Sequence, residues 1–280
     1  MALATAIDGT RDIRLADQDP ADDGGLTEEG TRERFEALTE ELRELQELMF
    51  AAETHGVLVI LQGMDAAGKD VTIQNVFVAA NAEAIRVKHF SAMTEEEEAH
   101  DFLWRAHAEM PKRGELVIFD RSYYEQLILP IIEDETDAAT TEERAHDVRA
   151  FETILGHANT LVVKVFLNVS EDEQKRRLVE RMDRPETAWK ISARDWIARR
   201  SWDRYMAAYE TVMNATATPD APWLVIPADR QWLHNLAVAE ALIERLGSHR
   251  GGWIEARNER AKRKRGEALA ETPDDVKAEF

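Results

Sequence analysis

The segment Gly63-Met-Asp-Ala-Ala-Gly-Lys69 constrains the fold more than any other feature, because of what stands on either side of it. A continuous apolar run, 57–61, comes just before it, and a stretch with helical character, 69–80, follows. An apolar run that short is typical of a strand buried on both faces of a parallel sheet. A glycine-rich turn between such a strand and a helix lets backbone N–H groups and the helix N-terminus bind phosphate. The sequence therefore predicts a phosphate-binding loop.

Within this loop we expect Lys69 to reach the outer phosphates of a ligand. The loop backbone would surround the anion at Gly63, Ala66, Ala67, Gly68 and Asp70. The Ser or Thr that usually ends the motif is a magnesium ligand; Asp70 replaces it here, and a further acid, Asp65, lies inside the loop. The competing interpretation is a glycine-rich turn that binds nothing. The position directly after a buried strand is an independent argument against that alternative.

Further apolar runs alternate with helical stretches along the chain. The runs lie at 115–119, 161–167 and 223–226, with a weaker one at 84–90. Helical character is found at 27–50, 69–80, 95–110, 142–156, 170–183, 192–216 and 230–246. Strands that alternate with helices indicate crossover units. We therefore predict an α/β fold, a P-loop kinase-like doubly wound parallel β-sheet with helices on both faces and a helical lid.

A second candidate site residue, Asp120, ends the apolar run of Leu116-Val-Ile-Phe-Asp120-Arg121-Ser. P-loop enzymes place an acid that holds Mg²⁺ at the carboxyl end of a buried strand, because ligands bind at that edge of the sheet. Asp65 and Asp120 facing one phosphate pocket would suit this oxygen-preferring cation. The alternative is an Asp that only caps the next helix.

A basic segment forms the third signal. Residues 175–204 contain ten Lys and Arg against five Asp and Glu, although the whole chain has a net charge of −20. A local excess of cations indicates an anion site, and the fork of donors on Arg suits a lid that closes over phosphates. The alternative is a set of ordinary surface helices whose charges pair along each helix.

Composition sets the remaining expectations. The chain of 280 residues has no Cys and no apolar run of the roughly 20 residues that a membrane span needs. We expect a cytoplasmic protein without a membrane partner, and the acidity argues against a nucleic-acid partner. We expect a disordered tail over 1–26, a P-loop kinase domain over 27–250 with a lid at 171–205, and a charged C-terminal tail over 251–280.

Taken together, these residues resemble the polyphosphate kinase 2 family. The resemblance covers about 35–246 and rests on an ordered set of motifs. These are GMDAAGKD (63–70), HDFLWR (100–105), IFDRSYYE (118–125), FLNVSEDEQKRRLVERMDRPETAWKIS (166–192), RSWDRYMAAYE (200–210) and ATATPDAPWLVIPADRQW (215–232). HDFLWR and SYYE look most like the branch that phosphorylates nucleoside mono- and diphosphates from polyphosphate.

The resemblance implies an enzyme that moves a phosphoryl group between inorganic polyphosphate and AMP or ADP with Mg²⁺. It implies that Asp65 and Asp120 bind magnesium, and that Lys69 and Arg121 steady the transferred phosphoryl group. It also implies a lid whose cationic side chains meet polyphosphate, namely Arg176, Arg177, Arg181 and Lys190. Assembly as a homo-oligomer, a dimer or a tetramer, is a further implication.

The chain departs from the family pattern at several positions. Val71 and Gln74 stand where the family has Gly and Lys, and Ser91-Ala-Met93 replaces Lys-x-Pro. An Asn-Pro-Gln-Gly turn is replaced by residues 81–84, and an Arg-x-His by 131–133. These changes leave two alternatives open: a P-loop kinase that uses ATP on another small acceptor, and a non-catalytic sensor of nucleotide or polyphosphate.

Overall fold

The computed structural model describes residues 3–189 and 191–277. Six strands in this part of the chain form one sheet: β1 (Thr5–Ile7), β2 (Gly56–Gln62), β3 (Ile85–His89), β4 (Leu116–Asp120), β5 (Thr160–Asn168) and β6 (Trp223–Pro227). Their order across the sheet is β1-β6-β5-β2-β4-β3. All neighbours are parallel except β1, which runs antiparallel to β6 at one edge.

The helices described are α1 (Glu28–Ala52), α2 (Lys69–Val76), α3 (Glu95–Glu98), α4 (Trp104–His107), α5 (Glu125–Ile132), α6 (Ala138–His157), α7 (Glu171–Asp183), α8 (Pro185–Ala188), α9 (Ala193–Arg200), α10 (Trp202–Thr216), α11 (Gln231–Gly247), α12 (Arg250–Glu271) and α13 (Asp274–Lys277). One layer contains α11 with α1 and α2, both of which it contacts, and a second contains α5, α6 and α10. Strand β5 contacts α6 from one layer and α11 from the other. The predicted doubly wound α/β fold is confirmed.

The central strands have the continuous apolar character that the sequence predicted. Every residue of β2 and of β4 is buried. Because both strands are covered by helices on each side, no alternation of polar and apolar residues is needed along them. The carboxyl ends of β2 and β4 lie side by side, since Leu61 pairs with Asp120. This register places the loops after both strands at one edge of the sheet.

Two long helical predictions are divided in the structure. The stretch 95–110 contains only the short helices α3 and α4, and 192–216 is divided at Ser201 into α9 and α10. Helix α5 was not predicted, although its sequence is strongly apolar. It contains Pro130 in its last turn. A run of apolar residues on all sides of a helix leaves no helical periodicity to recognise.

The N-terminal segment corrects the expectation of a disordered tail over 1–26. Residues 5–7 form β1, and the side chains of Ile7, Ile13 and Leu15 are buried. The backbone N–H of Leu15 donates to Glu210 on α10 at 2.6 Å. Three apolar side chains at irregular spacing give no periodic signal. The segment is held in place because β1 pairs with β6 and the backbone of Leu15 bonds to α10.

The C-terminal segment, expected as a charged tail over 251–280, is helical through α12 and α13 as far as 277. Helix α12 lies against α1 through its first turns, where Trp253 is buried and Arg260 donates to the carbonyl of Ala51 at 2.9 Å. Among the described residues, the helices lack the length and apolar character that crossing a bilayer requires.

Candidate active site

The loop between β2 and α2 has a backbone that most residues could not adopt. Gly63 and Gly68 have positive φ angles of 148° and 116°. A Cβ at Gly68 would lie 2.6 Å from Cε1 of His234, and one at Gly63 would lie 2.9 Å from the carbonyl oxygen of Leu167. Both contacts are shorter than real Cβ contacts. The loop therefore needs glycine at these positions for its curvature and for its close packing on α11 and β5.

Lys69 is the first residue of α2, and its side chain folds back across the loop. Its Nζ donates to the carbonyls of Gly63 at 2.9 Å and Met64 at 3.2 Å. The residue is only 7% exposed, yet it lines the cleft above the loop. The ammonium group thus closes the loop on itself and presents positive charge to a bound anion.

Asp120 ends β4 beside the loop, as predicted from its position after an apolar run. Its Oδ2 lies 3.0 Å from Nδ1 of His89, the residue that pairs with it at the end of β3. Its Oδ1 is buried and has no hydrogen-bond partner in the parts of the chain described. A buried carboxylate oxygen without a partner is costly, unless a bound group completes it.

Asp65 and Arg121 form an ion pair between the phosphate loop and the residue after Asp120. Arg121 has a φ of 62°, which turns the chain sharply at the strand end. Burial acts to raise the pKa of Asp65, but the charges of Arg121 and Lys69 outweigh it and hold that pKa below its ordinary value. The carboxylate is therefore ionised at neutral pH. Four predicted site residues, Asp65, Lys69, Asp120 and Arg121, line one cleft.

Glu125 is a residue of this site that sequence reasoning missed. Burial raises its pKa, and the nearby charges of Arg121 and Lys69 offset this only in part. Glu125 is not among the residues that line the cleft, and its charge reaches the site through Arg121, whose pKa it helps to raise. Glu125 stands five residues after Asp120, at the start of α5. It is the last residue of the motif IFDRSYYE, and that position was its signal in the sequence.

Helix α7 forms the opposite wall of the cleft, which has a volume of about 530 Å³. Arg176, Arg181 and Arg184 line it, but with different partners. Arg176 is bonded to Glu173 at 2.7 Å and to Glu180 at 3.2 Å, and Arg184 also pairs with Glu180. The guanidinium of Arg181 has no hydrogen bond or ion pair to any residue that the structure describes, and its charge helps to lower the pKa of Asp65. Lys190, the fourth predicted lid residue, lies outside the described residues.

Arg177 occupies a different place from the one predicted for a lid residue. Its Nε donates to Glu173 at 2.7 Å, and one terminal nitrogen donates to the carbonyls of Ala66 at 3.1 Å and Ala67 at 2.8 Å. The other terminal nitrogen donates to the carbonyls of Ala228 at 2.6 Å and Asp229 at 3.0 Å. A guanidinium has five N–H donors, and all five are used. In this arrangement Arg177 joins α7 to the phosphate loop and has no donor left for a ligand.

Two of the positions that depart from the family pattern, Val71 and Gln74, line the cleft beside Asp70. Ser91 lies away from it, and its carbonyl accepts a hydrogen bond from Arg105 at 2.9 Å. After Lys69, the groups of α2 that line the cleft are therefore neutral or acidic, whereas α7 lines it with several cations. The cations of the cleft thus come from the phosphate loop and the end of β4 on one side and from α7 on the other.

The comparisons with known proteins agree with this site. A family model described as Polyphosphate kinase 2 matches residues 25–250, so the match ends where α12 begins. An AMP/ADP-polyphosphate phosphotransferase from Meiothermus ruber is 42% identical over 85% of this chain and 90% of its own length. An ADP-polyphosphate phosphotransferase from Rhodopseudomonas palustris is 36% identical over 84% of this chain and 86% of its own.

A solved structure supports the same conclusion. The crystal structure of polyphosphate kinase 2 from Arthrobacter aurescens TC1 superimposes with a TM-score of 0.81 at 38% identity, covering 84% of this chain and 86% of that one. The phosphate loop, the acid at the end of β4 and the arginine-lined wall thus lie within the part of the chain, residues 25–250, that matches one family. This chain belongs to the polyphosphate kinase 2 family.

Proposed function

We propose that this protein is a polyphosphate-dependent nucleotide phosphotransferase, which moves a phosphoryl group between inorganic polyphosphate and AMP, ADP or other nucleoside mono- and diphosphates. One observation carries the proposal. The cleft combines a phosphate loop closed by Lys69 with a wall of three arginines, Arg176, Arg181 and Arg184. A site with cations on two sides suits two phosphate-bearing substrates at once. The names of the relatives from Meiothermus ruber and Rhodopseudomonas palustris support the same activity.

In the proposed reaction an oxygen of the acceptor's last phosphate attacks the terminal phosphorus of polyphosphate. A new P–O bond forms, the bond to the next phosphate of the chain breaks, and the shortened polyphosphate leaves with that bonding pair. The reverse step lengthens the chain. Lys69 and Arg121 hold the oxygens of the transferred group, and Arg181 contacts the donor. Catalysis of this kind consists of positioning and charge stabilisation and needs no covalent intermediate.

The carboxylates of the cleft fit Mg²⁺. Asp120 has a buried oxygen without a protein partner, and Asp65 is ionised beside it in the same cleft. Magnesium is usually held by one or two carboxylates together with substrate phosphates, so a larger cluster of protein ligands is not required. Bound there, the ion would neutralise charge on the phosphates. The protein's own part is to hold Asp120 in place, which His89 does through its hydrogen bond.

A magnesium titration tests this assignment. We expect Asp120→Asn to raise the Mg²⁺ concentration for half-maximal rate and to lower the rate, because a neutral amide is a poorer ligand for a hard cation. Asp65→Asn should act in the same direction. If both variants titrate like the wild type, the carboxylates are structural and the metal assignment is wrong.

The donor and acceptor tests distinguish this function from its alternatives. Purified protein is assayed with polyphosphate or ATP as donor and AMP, ADP, GMP or GDP as acceptor, with Lys69→Met as the control for contaminating kinases. Turnover with polyphosphate that the control lacks is the expected result. Turnover only from ATP would identify a kinase of another kind, and binding without turnover would identify a sensor. The cytoplasmic location and the homo-oligomer stay predictions, which cell fractionation and light scattering would check.

A further inference from the structure

Helix α12 has a surface that neither the fold nor the cleft explains. From residue 261 to the end of the helix at Glu271 every residue is exposed, so this half of the helix lies against nothing in the described chain. A helix that is polar on all sides and lacks contacts has no packing energy to hold it. Its beginning is held on α1 by Trp253 and Arg260. The distal half therefore projects from the domain.

The projecting half carries a dense positive charge. Four of its first five residues, 261–265, are Lys or Arg, in a chain of net charge −20. On a helical wheel Lys262 and Arg265 lie on the side away from Arg260, which faces α1. Neither has a hydrogen bond or ion pair to any residue that the structure describes. Glu267 pairs with Arg263 and Lys264, and so neutralises only part of the cluster.

Ordinary helix electrostatics does not account for this cluster. Cations stabilise a helix through its dipole only within the last turn, and the cations at 262–265 end six residues before the end of α12. Cations packed this closely repel each other, and the exposed pairs with Glu267 offset this repulsion only in part. A bound polyanion would be attracted to each of these cations and would offset the repulsion between them.

The position of α12 decides which polyanion fits. Nε1 of Trp253 donates to Nδ1 of His55 at 3.0 Å, just before β2 begins, whereas the phosphate loop follows the end of β2. The seven residues of β2 separate the two ends by about 23 Å, and the cations at Lys262 and Arg265 lie nine and twelve residues further along α12 than Trp253. A short phosphate donor in the cleft is unable to reach α12, but a long polymer can contact both.

We propose that α12 is an anchoring site for long polyphosphate, which binds the distal part of a chain whose terminal phosphate occupies the cleft. The inference rests on the proposed function and extends it to residues beyond the family match. The anchor raises the local concentration of the donor near the cleft without touching the reacting atoms. It therefore distinguishes donors by length.

The test compares Lys262→Gln/Arg265→Gln with Arg11→Gln/Arg32→Gln, which makes the same change of net charge at exposed positions elsewhere. Each protein is measured with tripolyphosphate and with long-chain polyphosphate at several salt concentrations. We expect the α12 variant to lose about fivefold or more in affinity for the long donor, and its plot of log affinity against log salt to flatten by about 1.4 for two lost contacts. Its kcat/KM on tripolyphosphate and its thermal unfolding should match the control.

Three results would overturn the anchor. Equal long-chain affinity in both variants would leave the cations without a role in binding polyphosphate. A change in oligomeric state of the α12 variant by sedimentation, with unchanged polyphosphate affinity, would make the helix a contact with a second copy. Single-stranded RNA of equal charge that displaces long polyphosphate at lower concentration would make the helix a nucleic-acid site. Absence of turnover with either donor would instead contradict the proposed function, so the two failures are distinguishable.

Discussion

The floor and the wall of the cleft use charged residues in opposite ways. On the floor, which consists of the phosphate loop and the end of β4, Lys69 and Asp120 are at most 7% exposed and are bonded to neighbouring loop or strand residues. On the wall, α7 carries exposed guanidinium groups that pair within the helix or have no described partner. The charged groups of the floor are thus fixed by bonds within the protein, whereas the exposed guanidinium groups of the wall are accessible to a ligand.

Arg177 crosses from one region to the other. It starts on the wall and ends on the floor, where it donates to two carbonyls of the phosphate loop. Its neighbour Arg176 is 62% exposed in its side chain, against 15% for Arg177. Adjacent residues of one type thus have different roles, because only one of them faces the loop. The comparison predicts that floor variants lose turnover or stability, and that wall variants lose donor affinity.

The largest effect is expected on the floor at Lys69. Replacement by Met removes the charge that faces the phosphates and leaves the carbonyls of Gly63 and Met64 without their donor. Losing such a charge at a transition state costs about 3–4 kcal/mol, which lowers kcat by two to three orders of magnitude. Single-turnover rates and thermal unfolding measure the two effects. A variant that keeps more than about a tenth of the rate with unchanged unfolding contradicts the assignment.

The next effect separates Arg177 from Arg176. Arg177→Lys keeps the charge but replaces five donors in a fork by three on one nitrogen. We expect a loss of about 2–3 kcal/mol in the free energy of unfolding, since several buried carbonyls lose a charged donor. Arg176→Lys, the control, should lose less than about 0.5 kcal/mol because its ion pairs are exposed. Urea unfolding gives both values, and equal losses would contradict the division between floor and wall.

The sequence predicts the floor much better than it predicts the bonds between floor and wall. Asp65, Lys69 and Asp120 were predictable because each lies at or just after the carboxyl end of a buried strand, and parallel strands bring those ends together. The sequence predicts Arg177 as a lid residue, because nothing in the sequence shows that its partners are backbone carbonyls of distant loops. Carbonyl groups exist at every residue and leave no trace in a sequence. The same holds for β1, whose three residues are too few to show a period.

A smaller effect is expected to depend on pH through His234, a residue of α11 that packs against the floor at Gly68. Burial, with the charge of Arg177, lowers the pKa of His234 to about 3, against an ordinary 6.5. The folded protein therefore binds this proton less well than the unfolded chain does. The contribution of neutral His234 to the free energy of unfolding is complete above pH 6.5. As the pH falls below 6.5, this free energy decreases by up to roughly 1.4 kcal/mol per pH unit.

Stability curves between pH 7 and 5 measure this loss. His234→Asn keeps a flat polar group beneath Gly68 and removes the titration, so the difference in slope between the two proteins isolates His234 from His55 and His249. These two histidines also have pKa values lowered by burial. Parallel curves for the wild type and the variant would show that His234 takes up its proton in the folded state.

The smallest effect is expected on the wall at Arg181, and it tests the comparison most closely. Its side chain lines the cleft without a described partner, so Arg181→Gln removes charge from the donor site and breaks no internal bond. The contact is partly open to solvent, which limits the loss to about 1 kcal/mol, or roughly fivefold in KM for polyphosphate. Lys175→Gln is the matched control, because it removes one cation from the exposed side of the same helix. We expect the Arg181 variant to keep its kcat and its unfolding midpoint while KM for polyphosphate rises and depends less on salt. A fall in kcat with unchanged KM would contradict this division, because it would show that Arg181 acts on the transition state, as the floor residues do, and not on donor binding.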